Sequence, residues 1–190
     1  MQMDEQEHEE RPRRLWTRQE YDRMVDAGIL GPDDKVELIE GEILVVSPEN
    51  ALHAAVIDGA LLLLQRAFGA GHYVRPAHPV ALDEHSEPEP DLAVVPGAPR
   101  DYRSAHPATA LLVVEVSRTS RAFDRGRKQR MYARNRIPEY WVLDLVDDCL
   151  FLYRDPTPDG FARVSREDRG ASVTPIHAKT GIAVSELLGG

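Results

Sequence analysis

The sequence predicts an α/β fold, of the α+β kind, in which helices flank a mixed central sheet. Three observations lead there. Leu111 to Val116 is almost uninterruptedly apolar, as a central strand covered on both faces should be. Two helical stretches, from Asn50 to about Phe68 and from about Ser120 to Asn135, alternate with short strands and supply the covering layers. No internal repeat and no domain-sized linker divides the 190 residues, a length that suits one domain with both sheet faces buried.

In chain order, residues 1 to about 14 are charged and lack apolar periodicity, so a disordered tail is expected, with a single domain over 15–190. Thr17 stands three residues before Glu20, a capping-box spacing. It opens a short helix with Tyr21, Met24 and Val25 on one face and Gly28 as its stop. Lys35 to Val46 reads as two strands joined by a tight turn at Glu40-Gly41. The next helix carries Ala51, Ala55, Ile57, Leu61, Leu62, Leu64 and Phe68 as its buried set and closes at Gly69. Tyr73 to Leu82 is expected as a strand, as is Pro90 to Pro96 between its prolines. Pro138 ends the helix of 120–135. Strands follow at Glu139 to Leu145 and Cys149 to Arg154, then weaker peripheral elements at Phe161 to Val173 and Val184 to Leu188.

The longest apolar stretches, Ala60 to Leu64 and Ala110 to Val114, fall far short of the roughly 20 residues that cross a bilayer, so no membrane span is expected. The N-terminal run has no basic segment followed by an apolar one, and a cytoplasmic location is expected. Cys149, the single cysteine, lies in an apolar strand and reads as a buried thiol in a reducing compartment. A net charge of −9 argues against adhesion to nucleic acid through the whole surface. Yet Arg118, Arg121, Arg125, Arg127, Lys128, Arg130, Arg134 and Arg136 crowd one segment in which Asp124 is the only acid. Such a segment is either a phosphate-binding face or a solvated helix that balances acidic neighbours.

Two acids do not belong in apolar strands. Glu115 stands near the end of the central strand and Asp91 opens another. A carboxylate buried there must be neutralised or paired, because an unpaired charge costs several kcal/mol. Each could pair with an arginine. Two at neighbouring strand ends could instead share Mg²⁺ or Mn²⁺, a hard cation satisfied by one or two carboxylates, water and phosphate oxygens. Ser117, two residues past Glu115, faces the same side of the strand. Asp124, Lys128 and Tyr132 succeed one another at four-residue spacing and form a helical stripe that can face Glu115. Lysine is rare here: Lys35, Lys128 and Lys179 stand against 20 arginines, so a compact ammonium inside an arginine-rich segment carries information.

Taken in order, Glu37-Leu38-Ile39-Glu40-Gly41-Glu42, His53, Pro90-Asp91-Leu92, Leu112-Val113-Val114-Glu115-Val116-Ser117, Asp124, Lys128, Tyr132 and Glu139-Tyr140-Trp141-Val142-Leu143-Asp144 resemble the Uma-two family of restriction endonucleases, from about Trp16 to Leu188. The resemblance implies the PD-(D/E)XK nuclease superfamily and a restriction-endonuclease-like core of helix, three antiparallel-leaning strands, helix and strand. It also implies metal-dependent cleavage of DNA. Residue by residue, it makes Asp91 the acid of the Pro-Asp pair and Glu115 the acid of the E-x-K element. Ser117 stands where the superfamily has lysine, and the family pattern moves that lysine to Lys128. Val116, beside Glu115, is counted with Asp91 and Glu115 at the metal. Glu42 is expected as the additional acid and Glu37 as the weaker candidate. His53, Ser117, Asp124, Arg125 and Tyr132 are expected around the substrate, although His53 equally suits a satisfied helix-start histidine.

Two functions remain open on the sequence: a Mg²⁺- or Mn²⁺-dependent endonuclease acting on DNA, expected as a homodimer so that two sites meet two strands, or a nuclease-fold scaffold without turnover. A small-molecule hydrolase using the same metal is a third, since a fold does not name its substrate.

Overall fold

A computed structural model describes residues 13–31, 33–46 and 50–190. Most of the expected N-terminal tail therefore lies outside the described residues. Arg13 and Arg14, its last two residues, pair with Glu42 and Glu20.

Helix α1 (Arg18–Asp26) begins as its capping box requires: Thr17 Oγ1 accepts from the Glu20 N–H, and the Glu20 carboxylate accepts from the Thr17 N–H at 3.0 Å. Of its apolar face only Tyr21 is buried, its hydroxyl donating to the Val36 carbonyl at 3.0 Å, whereas Val25 stays half exposed. Strands β1 (Val36–Ile39) and β2 (Glu42–Val45) form the expected hairpin, with Ile39 opposite Glu42. Glu40 and Gly41 both have positive φ, 51° and 80°, as a tight hairpin turn demands. A side chain at Gly41 would also place its Cβ 2.6 Å from that of Leu15.

Helix α2 (Ala51–Phe68) is capped by the Asn50 side chain, which accepts from the His53 N–H at 3.1 Å, and closes at Gly69 with φ 69°. It corrects two expectations. Its buried residues are Val56, Ile57, Ala60, Leu64, Ala67 and Phe68, while Ala51, Ala55 and Leu62 face outward. Its 18 residues, with a mean hydropathy of 1.4, are also long and apolar enough for a span by length and composition alone. Here the helix lies instead across the central sheet.

That sheet runs in the order β3 (His72–Pro76), β4 (Leu92–Pro96), β5 (Leu112–Ser117), β6 (Glu139–Asp144), β7 (Cys149–Thr157) and β8 (Gly160–Asp168). Only the β5–β6 pair is parallel. The helical connection between them makes this possible, because a parallel pair needs a crossover. β3 is shorter than expected, since Pro76 cannot donate to a ladder and Ala77 turns away with φ 42°. β8 is stronger than expected, a nine-residue edge strand rather than a peripheral piece. Short strands β9 (Ser172–Val173) and β10 (Ile182–Ala183) pair separately, and α5 (Val184–Leu187) packs with α2.

Strand alternation decides what faces what. Leu112, Val114 and Val116 enter the core under α2, together with Trp141 and Leu143 of β6. Val113, Tyr140 and Val142 enter the opposite core, so Glu115 and Ser117 share that second face. The crossover covers it as α3 (Arg121–Phe123), a π turn over Asp124–Lys128 and α4 (Gln129–Arg134). The extra residue of the π turn was not expected. The Asp124 carbonyl there accepts both the Gln129 N–H and the Tyr140 hydroxyl. Cys149 is buried, as expected, and burial pushes its thiol up.

Buried acids are not confined to the cavity described below. Glu139 is fully satisfied by Trp141 Nε1, Arg154 and the Ile176 N–H. Glu87 is not: burial, with Asp22 nearby, lifts its carboxyl to about 7 although Arg18 lies 3.7 Å away. A carboxyl raised in the folded state holds its proton better folded than unfolded, so it costs stability as pH rises from about 4.5 to 7. Glu87→Gln should therefore match the parent near pH 4 and gain about 2 kcal/mol over it at pH 8, less than the full shift would give because solvent still screens part of the group. Denaturant titrations at the two pH values test this, and equal differences at both would refute it.

Candidate active site

The β4–β5 register places Leu92 opposite Val114, which sets Asp91, the residue before β4, beside the end of β5. There Asp91 Oδ2 accepts from the Val116 N–H at 2.5 Å and lies 3.2 Å from His53 Nε2 in the first turn of α2. Glu115 projects from the other face of β5 toward the crossover helix, where its Oε1 accepts from Lys128 Nζ at 3.0 Å and from the Tyr132 hydroxyl at 2.9 Å. Lys128 Nζ also lies 3.1 Å from Glu37 Oε1 of β1. The ammonium is thus held between two carboxylates from different elements. Ser117 and Ser120 donate to Asp124 Oδ2, at 2.8 and 2.5 Å.

These groups converge on one cavity of about 550 Å³, with Glu37, Glu89, Asp91, Glu115 and Asp124 on its walls beside Lys128, His53 and Val116. Burial raises Glu115 well above the usual carboxyl range. Lys128 opposes that rise, and Asp91, Asp124 and Glu37 add to it. Burial likewise raises Asp124 and Glu89. For Lys128 burial disfavours the charge, but Glu115, Glu37 and Asp124 together outweigh it and hold the ammonium protonated. Burial and the Glu115 charge keep the Tyr132 phenol protonated, so it serves as a donor. Five acids thus surround one buried lysine, with Arg118 and Arg127 also on the cavity wall.

Among the described residues no three His, Cys, Asp or Glu side chains form a ready cage for an ion. Magnesium does not need one, since it keeps several waters and takes one or two carboxylates. Asp91 Oδ1 and Glu115 Oε2 make no hydrogen bond among the described residues, and both residues line the cavity. The donor set therefore fits a hard divalent cation held by Asp91 and Glu115 with Val116 alongside.

Most of the expected site is brought together: Asp91, Glu115, Val116, Lys128, Asp124, Ser117, Tyr132, His53 and Glu37. Glu42 is a correction. It stands outside the cavity, where Arg127 and Arg13 bind its carboxylate and lower its pKa. Glu37, the weaker candidate, is the buried acid at Lys128. Arg125 is a second correction, because its guanidinium lies over the Phe151 ring at 3.7 Å and near Asp144, away from the cavity. Glu89 was missed, although its place two residues before Asp91 in the same loop was a usable signal. Its N–H donates to Glu37 Oε2. The arginine-rich segment is largely neutralised: Arg121 binds Asp144 and Asp147, Arg127 binds Glu40 and Glu42, and Arg134 binds Glu40. Arg118 lines the cavity, exposed and without an ion pair among the described residues.

A comparison with curated proteins finds no match. Among solved structures, the crystal structure of a "putative nuclease belonging to DUF820" from Anabaena variabilis is similar in fold, with a TM-score of 0.67 at 15% identity. The match covers 86% of this chain and 96% of that one. The restriction-endonuclease-like order of helix, three antiparallel strands, helix and parallel strand is the one seen here. Residues 18–184 match the model of a family described as "Putative restriction endonuclease", and on that match the chain belongs to the Uma2 family.

Proposed function

We propose that this chain is a divalent-metal-dependent endonuclease that hydrolyses phosphodiester bonds in DNA, with Mg²⁺ or Mn²⁺ held by Asp91 and Glu115. The observation that carries the proposal is the meeting of these acids, from adjacent strands, in a cavity whose buried ammonium is already held by Glu37 and Glu115. The ion, when bound, would polarise the scissile phosphate and acidify a water. The protein's own groups do the rest. The Val116 N–H and His53 fix the orientation of Asp91. Tyr132 and Lys128 fix that of Glu115. Lys128 presents a preorganised charge to the phosphate as negative charge builds on it, and water adds to phosphorus as the P–O bond to the leaving strand breaks.

The test is incubation of the purified protein with single-stranded, duplex and flapped DNA and with RNA, in Mg²⁺, Mn²⁺ or EDTA, beside an Asp91→Ala control. Metal-dependent cutting that the control lacks supports the proposal. Binding without cutting favours a scaffold. A cytoplasmic location and a homodimer accompany the proposal, the latter checked by light scattering.

Nucleic-acid affinity should depend on salt through Arg118 rather than through the paired arginines. Arg118→Ala should reduce the slope of log K against log salt by about 1, whereas Arg125→Ala should leave it unchanged. Equal slopes for Arg118→Ala and the parent would remove Arg118 from the interface.

A further inference from the structure

We infer that the substrate strand is unpaired where it is cut, the nucleotide next to the scissile phosphate sitting in a second cavity beyond Asp91. This rests on the nuclease reading above and narrows its substrate. The second cavity, of about 520 Å³, is within the roughly 300–1,000 Å³ of small-ligand sites. It shares Val46, Glu89 and Asp91 with the first, so the acid proposed to hold the metal borders both. A chain bound across Asp91 has room on each side of it.

One wall of the second cavity is apolar. Val25, Leu30, Val36 and Ala77 line it with Tyr21, while Asp34 stands with Glu89 and Asp91 on its polar side and Lys35 adds one exposed cation without an ion pair among the described residues. Each cavity also has one exposed apolar group in its lining, Val25 at 50% on the second and Val45 at 83% on the first. A base in a duplex has both faces covered by its neighbours and its edge paired, so it has no face to offer such a wall. A splayed or single-stranded base does.

The experiment compares a short labelled single strand, the same sequence as a blunt duplex, and a duplex with a single-stranded flap. Binding is read by fluorescence anisotropy in Ca²⁺ and cutting in Mg²⁺. The single strand and flap should bind about tenfold or more tightly than the duplex, with cuts in the unpaired part. Val25→Asp and Lys35→Glu, both at exposed positions, should each weaken single-strand binding about fivefold or more while calorimetric Mg²⁺ binding stays as in the parent. A blunt duplex bound and cut as well as the single strand would overturn the inference and leave the nuclease reading standing. So would single-strand binding unchanged in both variants. Tight, variant-sensitive single-strand binding without any cutting would support the cavity's role and overturn the nuclease reading instead.

Discussion

Asp91→Asn and Glu115→Gln should each lose calorimetric Mg²⁺ binding and lower the cleavage rate on the order of 10³-fold, the scale of a metal's several kcal/mol of charge stabilisation. Each change keeps side-chain shape and removes one of two carboxylates. Neither should unfold the protein. Asparagine at position 91 can still accept from the Val116 N–H through its amide oxygen, and glutamine at 115 can still accept from Tyr132, while Lys128 keeps Glu37 at 3.1 Å. The raised Glu115 carboxyl adds a pH signature. Its proton must leave before the ion binds, so metal affinity should fall as pH falls, and binding should release protons into the buffer. Titrations in two buffers of different ionisation enthalpy measure that release. Metal binding like the parent's in both variants would show that the ion, if any, sits elsewhere.

What the sequence made legible was local chemistry with one reading. Thr17 with Glu20, Glu40-Gly41 and Asn50 each have a single common structural use, and each has it here. The stripe of Asp124, Lys128 and Tyr132 was readable because strand parity and helical spacing aimed it at Glu115. Glu37 and Glu42 were not separable in the same way. They sit on paired strands of one small hairpin, and which of them meets Lys128 depends on how the hairpin docks, a tertiary fact. Charge density could not decide between the two readings of the crossover segment, since a row of arginines shows where positive charge is but not whether Glu40, Glu42 and Asp144 have already taken it up. The π turn had no residue signature beyond Gly126, and its two buried residues are Asp124 and Lys128. β8 was underestimated for a related reason: an edge strand open to water alternates polar residues such as Arg163, Ser165 and Glu167, which in sequence resembles a loop.

Lys128→Met should cut at least about 10²-fold more slowly while still binding Mg²⁺ and nucleic acid, because the lost interaction belongs mainly to the transition state. The structure adds a stability effect. Lys128 is buried between Glu115 and Glu37, so its removal leaves two acids without their cation, a loss of roughly 3–5 kcal/mol for a broken buried pair. Mg²⁺ should restore most of that stability, because the ion supplies the missing positive charge. Thermal melts of the variant with Mg²⁺ and with EDTA should thus differ more than those of the parent. A slow enzyme whose melting temperature recovers in Mg²⁺ separates the catalytic loss from a folding defect. Lys128→Arg should rescue poorly, since a planar guanidinium cannot fill a space shaped for an ammonium 3.0 Å from Glu115 and 3.1 Å from Glu37. Ser117→Lys in the Lys128→Met background tests where the charge must be. Position 117 faces the same side of β5 and its hydroxyl already reaches Asp124, so a lysine there would bring its ammonium into the same cluster from the strand. Recovered cutting would show that the charge matters and the element bearing it does not. Full activity in Lys128→Met alone would remove the lysine from the chemistry altogether.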